Sequence, residues 1–453
     1  MSMKYSERDE AKSGAVEEAK GGANESMFFK KDFPAAQIFN FYNANCKEGR
    51  SENREFCVEG DGWRRRFAEV RSADALRELV CAKGVRALHA GAVFSERVSN
   101  VRKSSGSSGS SGPGGSGGPA AALSRNVVDL DRIKVVGKEL VFDLDLQDNP
   151  WAAGAKSDMQ HNDRFMPLLF ASANILQLLL KQVYGFTNFL AVYSGRRGIH
   201  LYVLDRRAFA LTAEQRQAIC ESLCLRPHST DSPFVNTRLW ASLSSPELET
   251  AVNAAWAAAM GNSENECGML ASKPSVAHFA ELFSKWKPPS GWTSPPVPVH
   301  ASTVFSRLCS ESTLKERIDC LSKLNRFAAR DVVLAVVWPR LDVQVTASLQ
   351  HTIKTPFSLH AATGRVAMPV MLDAFTVPVE RGGWRPALSA LESWRGGELI
   401  KSASMEAIRR STLSIVHSGK LEKAGAKAGA KAGEKAGEKL EKAGEKKRVR
   451  DDW

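Results

Sequence analysis

The sequence predicts a mixed α/β fold, and three observations support that class. Runs of β-branched and aromatic residues bounded by glycine-containing turns predict strands, as at 139–146 and 189–204. A strongly apolar segment at 166–184 predicts a buried helix, and residues 206–330 have helical patterns through most of their length. The chain has 453 residues, of which 43% are hydrophobic, so it can bury one large core or two smaller ones.

Composition predicts how the chain is organised. Residues 1–26 are polar and rich in Gly, Ala and Glu, which predicts a disordered leader. We expect residues 27–205 and 331–400 to form the main core and residues 206–330 to form a helical subdomain. Residues 418–453 are a basic low-complexity tail, in which lysines recur every four residues among helix-weakening glycines.

Two low-complexity stretches leave alternatives open. Residues 103–120 are a flexible Gly/Ser insertion within the core, either a natural insertion or an engineered joint. The basic cluster at 446–450 fits a nuclear import signal, a DNA-binding arm or a merely solubilising tail.

Charge, cysteine usage and hydropathy bound the class of protein. A net charge of +12 favours a polyanionic partner, either nucleic acid or an anionic membrane surface. Eight scattered cysteines without a signal peptide predict reduced thiols in the cytosol or nucleus, and none has the spacing of a zinc site. No apolar run approaches the roughly 20 residues that span a bilayer, so we expect no membrane association.

The N-terminal elements follow in order. The segment 27–45 predicts helices interrupted at Pro34. Residues 54–58 and 63–67 predict two strands joined by a glycine-containing turn, with Arg64 and Arg66 on one face, where they either contact phosphates or remain solvated. Ser72 is expected to cap a helix that ends near Lys83, and residues 88–94 predict another strand.

Two acids stand on the predicted strand 139–146. Side chains alternate along a strand, so Asp143 and Asp145 project to the same side. Adjacent carboxylates repel, and on an apolar strand they need a shared proton or a cation, for which Mg²⁺ or Mn²⁺ are suited. The alternative is an exposed edge strand whose acids face water.

The segment 189–204 predicts a β-hairpin around the turn Ser-Gly-Arg-Arg-Gly. Its glycines allow a sharp bend or close approach to a ligand, and guanidinium groups at Arg196 and Arg197 suit phosphate oxygens. A surface turn with two solvated arginines is the alternative. The apolar residues of the second strand predict a core-facing side, which leaves His200 and Tyr202 on the opposite face.

Further along the chain, a third acid is predicted to stand on a strand. Residues 331–338 predict a short helix and residues 339–345 a strand with Asp342 opposite its apolar face. Thr346 is expected to cap a helix that holds His351. The loop that follows contains polar and basic residues, which we expect to lie close to Asp342.

Three long motifs, in this order, resemble a known family: ELVFDLDLQD, YSGRRGIHLYV and PRLDVQVTASLQHTIKTPFSLHAATGRVAMPV. They are similar to the catalytic (small) subunit of archaeal and eukaryotic replicative DNA primase, and the eukaryotic type fits best. Shorter stretches, FFKKDFP, REF and GAVFSERV, agree as well, so the resemblance covers roughly residues 27–380.

The resemblance implies a primase-polymerase fold with an RRM-like sheet bearing the active site and a smaller helical subdomain. It implies that Asp143, Asp145 and Asp342 bind two Mg²⁺ or Mn²⁺ ions. The positions that match those holding the nucleotide triphosphate are Ser194, Arg196, Arg197, His200, Lys354 and His360. Positions near the nucleotide are matched by Glu55 and Arg66.

The implied activity is a DNA-dependent RNA polymerase that makes short RNA primers from NTPs on single-stranded DNA in the nucleus. Its implied partners are the large primase subunit and DNA polymerase α. The alternatives are a repair primase-polymerase that uses dNTPs and an inactive nucleic-acid-binding homologue. The family commonly has a cysteine-rich zinc motif between the first two motifs, but residues 146–193 contain no cysteine, so we expect the structural zinc to be absent.

Overall fold

The computed structural model describes residues 26–46, 50–100, 133–152, 159–224, 243–260, 273–287, 299–311, 313–372 and 401–417. These residues form a mixed α/β structure with two antiparallel sheets, which confirms the predicted class. The expected leader up to residue 25, the Gly/Ser insertion and the basic tail lie outside the described residues.

Within the described residues, nine strands build the two sheets. In chain order they are β1 (Arg54–Gly60), β2 (Trp63–Ala68), β3 (Ala87–Phe94), β4 (Val135–Gly137), β5 (Leu140–Asp145), β6 (Phe189–Tyr193), β7 (Gly198–Val203), β8 (Ile353–Lys354) and β9 (Met368–Val370). The first sheet has the order β2-β1-β3, and both β4 and β8 pair with β3 on its other side. The second sheet has the order β5-β7-β6-β9. The strands predicted before residue 205 are therefore confirmed.

Helices surround the sheets. Residues 26–31 and 401–417 are helical. The other α-helices in the described part of the chain are Ala35–Asn43, Ala73–Cys81, Met159–Tyr184, Arg206–Phe209, Ala213–Leu223, Pro246–Met260, Lys273–Ser284, Ala301–Ser310, Leu314–Leu324, Arg326–Val337 and Val343–Ala347. Ser72 caps the Ala73–Cys81 helix as predicted, because its side chain accepts a hydrogen bond from the amide of Ala75. The described parts of 206–330 are mostly helical, as expected.

The second sheet separates two hydrophobic cores. Leu140, Phe142 and Leu144 of β5 pack into a core formed with the Met159–Tyr184 helix and the helices that follow. Val141, on the other face of the same strand, joins a core formed with the first sheet and the N-terminal helices. Both faces of the hairpin are therefore buried, and His200 and Tyr202 lie opposite the first core, as predicted.

A buried ion pair joins the two sheets. The two Nη atoms of Arg54 donate to the carboxylate of Glu139, at 2.7 Å each, and both side chains are almost fully buried. Arg54 also donates to the carbonyl oxygens of Gly91 and Tyr42. Since Arg54 begins β1 and Glu139 directly precedes β5, this pair fixes the start of the acid-bearing strand against the first sheet.

Two predictions about the Met159–Tyr184 helix, called the central helix below, were wrong. It begins at Met159 rather than Met166, with Pro167 inside it. Its segment Phe165–Tyr184 has 20 residues and contains an apolar window of 18 residues with a mean hydropathy of 1.3, so by length and composition it could cross a membrane. The expectation that no run reaches this length is therefore wrong. Because 61% of the apolar window is buried inside the fold, we interpret the segment as a core helix.

The strand predicted over 339–345 was also wrong. Residues 339–342 have no regular structure, and Val343–Ala347 is a short helix with Asp342 as its N-cap. The Asp342 carboxylate accepts a hydrogen bond from the amide of Val345 at 3.0 Å. Thr346 lies inside this helix instead of capping a later one, and His351 lies beyond its end. Capping overrides the strand-like alternation because it satisfies backbone donors that a short apolar segment would otherwise leave unpaired.

Candidate active site

Two acids lie at the end of β5, on the face directed toward the first sheet. Asp143 and Asp145 alternate with Phe142 and Leu144, whose side chains pack into the core formed with the Met159–Tyr184 helix. The carboxyl side chains of the two acids are about a quarter exposed, at 26% and 25%. The predicted projection of both acids to one side is confirmed.

Asp342 lies next to these acids through a backbone contact. Its amide donates to the carbonyl oxygen of Asp143 at a distance of 3.2 Å. The short helix that Asp342 caps is held at its other end, where the buried Lys138 ammonium donates to the carbonyl oxygen of Ser348 at 2.9 Å. The structure therefore brings all three predicted acids together, although Asp342 stands on a helix cap and not on a strand.

The electrostatics of the acids reflect this crowding. Burial raises the pKa of Asp143 to about 7, with further contributions from the charges of Asp145 and Asp342. Burial and the same two neighbours also raise the pKa of Asp148. Sequence reasoning missed Asp148, although it ends the motif ELVFDLDLQD. A cation bound here would relieve the repulsion that disfavours the charged form of Asp143.

The donor set fits a divalent cation in its chemistry. Carboxylate oxygens are the ligands that Mg²⁺ and Mn²⁺ prefer, and the acids have an excess of negative charge. Within the described ranges, no three His, Cys, Asp or Glu side chains are already arranged around one ion position. One reason is that Arg197 donates to both Asp145 oxygens, at 2.8 and 3.0 Å, while Asp342 caps its helix. A cation would therefore compete with Arg197 for Asp145.

The Ser-Gly-Arg-Arg-Gly turn connects β6 to β7 beside the acids. The Ser194 hydroxyl accepts from the amide of Gly198 at 3.1 Å, which closes the turn. Gly195 has a φ of +93°, a conformation that favours glycine. The two arginines differ: Arg197 is paired with Asp145, whereas the backbone carbonyl of Arg196 accepts a hydrogen bond from Tyr193 at 2.8 Å.

Three basic residues lie beside this turn and the acids: His200 is buried, and Lys354 and His360 are half-buried. The Lys354 ammonium donates to the carbonyl oxygen of Ser194 at 3.2 Å, and burial lowers the pKa of Lys354 to about 7. His200 Nε2 lies 3.7 Å from Asp143 Oδ1. Burial, then the charge of Lys354, lower the pKa values of His200 and His360 to about 3. Both histidines are therefore neutral at physiological pH.

Glu55 and Arg66 lie on the first sheet and form an ion pair with nitrogen–oxygen distances of 2.7 and 3.0 Å. Arg66 also donates to the carbonyl oxygen of Gln350 at 2.8 Å, and Arg64 on the same face bonds to the hydroxyl of Thr352. The predicted shared face of Arg64 and Arg66 is confirmed. Both arginines thus contact the loop that leads to Lys354.

Sequence reasoning missed a further pair beside Lys354. His89 of β3 is the cross-strand neighbour of Lys354, and its Nε2 lies 2.9 Å from Glu59 Oε2. Burial lowers the pKa of His89 to about 4. The available signal was a single histidine within the otherwise apolar strand Ala87–Phe94.

Comparisons with known proteins agree on one family. The family model that matches is described as DNA primase small subunit, and it covers residues 142–372, about half of the chain. The DNA primase small subunit of Saccharomyces cerevisiae is 23% identical over 359 residues, which is 76% of this chain and 80% of the relative.

Two further relatives match over shorter regions. The DNA primase small subunit of Schizosaccharomyces pombe is 27% identical over 255 residues, or 52% of this chain and 53% of the relative. That of Drosophila melanogaster is 26% identical over 266 residues, or 53% of this chain and 56% of the relative. The matched region thus spans about half the length of these two proteins.

Proposed function

Since this chain belongs to the DNA primase small subunit family, we propose that it synthesises short RNA primers from NTPs on a single-stranded DNA template. Members of this family are nucleotidyltransferases of DNA replication, so the chain is an enzyme of that class. The observation that supports the proposal most directly is the backbone hydrogen bond from Asp342 to Asp143, which sets the three acids of the resembling motifs side by side.

The three acids have one role in this proposal. Asp143, Asp145 and Asp342 would hold two Mg²⁺ or Mn²⁺ ions, which when bound activate the primer 3′-hydroxyl and stabilise the charge on the leaving oxygens. Asp143 has to lose its proton before it can act as a ligand, and its raised pKa places that step near neutral pH. Asp148 would add negative charge next to this site without being one of the three matched acids.

The basic residues around the turn would bind the triphosphate. Lys354 and Arg196 would supply positive charge, and Ser194, His200 and His360 would supply hydrogen-bonding groups. Arg197 is paired with Asp145 in the free protein, and it would bind a phosphate instead when a cation occupies the acids. His200 suits a donor's role because its Nδ1 is buried without a hydrogen-bond partner among the described residues. Positioning and charge stabilisation are the main contributions a protein makes to phosphoryl transfer.

Glu55 and Arg66 would lie near the nucleotide on the opposite wall. Their ion pair and the contact of Arg66 with Gln350 hold the loop that leads to Lys354. The template would bind a basic surface through its phosphate backbone and through base stacking, without sequence readout.

The partners and location follow from the same assignment. We propose that the chain works with a large primase subunit and the DNA polymerase α complex in the nucleus, as the eukaryotic origin of the relatives suggests. The absence of the structural zinc stays a prediction from the missing cysteines, and metal analysis of the purified chain would test it.

A primer-synthesis assay tests the proposed function. The full chain is incubated with single-stranded DNA, Mg²⁺ or Mn²⁺, and either NTPs or dNTPs. We expect short RNA products with NTPs, and Asp143→Asn should abolish them. Asp319→Asn is the matched control, because Asp319 is exposed on the Leu314–Leu324 helix, which carries none of the proposed site residues. A preference for dNTPs would indicate a repair primase-polymerase, and no synthesis with either substrate would refute the proposal.

A further inference from the structure

The loop at 360–365 holds the Ser-Gly-Arg-Arg-Gly turn from one side. The Thr363 hydroxyl donates to the carbonyl oxygen of Gly195 at 2.7 Å. A Cβ atom at Gly195 would lie 2.8 Å from the Cβ of His360 and 2.9 Å from the carbonyl oxygen of Arg365, both too close for a real contact. The loop and the turn therefore pack backbone against backbone, and movement of one requires movement of the other.

A directional chain of hydrogen bonds reaches the same turn from the central helix. The Asp163 carboxylate accepts two hydrogen bonds from Arg365, at 2.8 and 3.1 Å. Arg365 Nη1 also donates to the Tyr193 hydroxyl at 3.3 Å, and this hydroxyl donates to the carbonyl oxygen of Arg196 at 2.8 Å. A guanidinium has donors only, so the hydroxyl accepts from Arg365 and directs its single proton to Arg196.

The electrostatics of Arg365 favour a role in supporting the turn over a role in binding phosphate. Although burial disfavours the charged form of Arg365, its hydrogen bonds to Asp163 and Tyr193 raise its pKa. Its charge is balanced by Asp163, which leaves little net attraction for an anion. Burial raises the pKa of Tyr193, so its hydroxyl keeps the proton that it donates to Arg196.

We propose that Asp163, Arg365 and Tyr193 are positioning residues that hold Arg196 in place for the triphosphate of the incoming nucleotide. This inference rests on the proposed function, because it assigns the triphosphate to the turn. The three residues come from the Met159–Tyr184 helix, the 360–365 loop and the end of β6, so the geometry of the turn depends on the packing of separate elements. A substitution at Asp163 should therefore alter the position of Arg196 through the two intervening side chains, Arg365 and Tyr193.

Tyr193→Phe in the full chain tests the proposal, because it removes the hydroxyl and keeps the ring. Binding of ATP with Mg²⁺ and binding of AMP are measured for the wild type and the variant. We expect ATP binding to weaken by about 3- to 10-fold, the range of one lost hydrogen bond, with AMP binding unchanged. Tyr184→Phe is the matched control, since its hydroxyl bonds to Ser222 on the Ala213–Leu223 helix, away from the turn.

A double-mutant cycle separates positioning from general destabilisation. If Tyr193 acts through Arg196, the Tyr193→Phe effect on ATP binding should disappear in an Arg196→Ala background, whereas independent effects would add. Asp163→Asn, at a side chain that is 27% exposed, is a milder second variant that should weaken ATP binding in the same direction. It provides the test if Tyr193→Phe does not fold.

Each outcome has a defined meaning. Unchanged ATP binding in Tyr193→Phe and Asp163→Asn, equal losses for ATP and AMP, or additive effects with Arg196→Ala would overturn the positioning role while wild-type primer synthesis still supported the proposed function. A wild-type chain that makes no primers would refute the proposed function itself.

Discussion

The amide of Asp342 donates a hydrogen bond to the carbonyl oxygen of Asp143, at a distance of 3.2 Å. The bond joins two segments that are separated in sequence by the hairpin and all the helices between them. Because it uses backbone atoms, it holds the two residues together although their carboxylates repel each other. The raised pKa of Asp143 is one sign of that repulsion.

Asp143→Asn should stabilise the metal-free protein at alkaline pH. The pKa of Asp143 is about 7 in the folded chain and 3.8 as the reference value, so the folded state keeps a proton that the unfolded state releases. The contribution of Asp143 to the free energy of unfolding is therefore complete at low pH, and it is lost as pH rises from about 4 to about 7. At pH 8 with a chelator, we expect Asn to raise the free energy of unfolding by about 1–3 kcal/mol.

Denaturant unfolding of the wild type, Asp143→Asn and the control Asp319→Asn checks this prediction. Adding Mg²⁺ should stabilise the wild type and have little effect on Asp143→Asn. Equal stability of wild type and Asp143→Asn at pH 8 would show that the carboxylate is not under electrostatic strain.

Gly195→Ala should impair nucleotide binding and leave most of the fold intact. The residue adopts a φ of +93°, and an added Cβ would overlap His360 and the backbone of Arg365. The turn would have to move away from the loop, with a loss of about 1–3 kcal/mol in stability. We expect a higher KM for NTPs in primer synthesis. Gly62→Ala, also at positive φ but with open space around it, is the control for backbone strain alone.

Nucleotide affinity should fall as pH rises above neutrality. Burial lowers the pKa of Lys354 to about 7 in the free protein, and a bound triphosphate should raise it, so binding takes up a proton above that pH. ATP affinity measured from about pH 7.5 to about pH 9 should decline in the wild type. Lys354→Met should bind weakly and lose this slope, whereas the exposed control Lys134→Met should keep it. A slope that persists in Lys354→Met would assign the proton to another group.

The Arg54–Glu139 pair should contribute to stability more than a surface ion pair would. Arg54→Met leaves the Glu139 carboxylate buried without its partner, which should lower the free energy of unfolding by about 3–5 kcal/mol. The double variant Arg54→Met/Glu139→Leu should recover much of that loss, since neither side chain then carries a buried charge. Unfolding in denaturant measures both. A double variant less stable than Arg54→Met would contradict this reasoning.

Local sequence patterns predicted the strands well, for physical reasons. The alternation in 140–145 and the glycine-bounded turn after Tyr193 are each determined by residues close together in the chain. The same alternation misled at 339–345, where a segment of seven residues is too short to separate a strand period from a helical turn. The deciding feature was the carboxylate of Asp342 as a cap.

The site residues that sequence reasoning missed depend on packing between distant segments. Glu59 and His89 meet because β1 and β3 pair, and Lys138 reaches Ser348 because the Val343–Ala347 helix packs beside β5. Asp148 is added to the acids by the 3₁₀ turn Leu146–Asp148, which periodicity does not predict. Arg197 was expected to face phosphate, and its bond to Asp145 became visible only in the three-dimensional arrangement.

Mn²⁺ binding by the full chain with ATP, followed by electron paramagnetic resonance, tests the central claim that the three acids jointly hold the metal ions. Asp342→Asn is the informative variant, because Asn caps a helix about as well as Asp and the short helix should remain. We predict two bound ions in the wild type, and in Asp342→Asn a loss of Mn²⁺ affinity of about a hundredfold or more, since even outer-shell partners are worth 10- to 100-fold. Wild-type Mn²⁺ binding in Asp342→Asn would contradict the account.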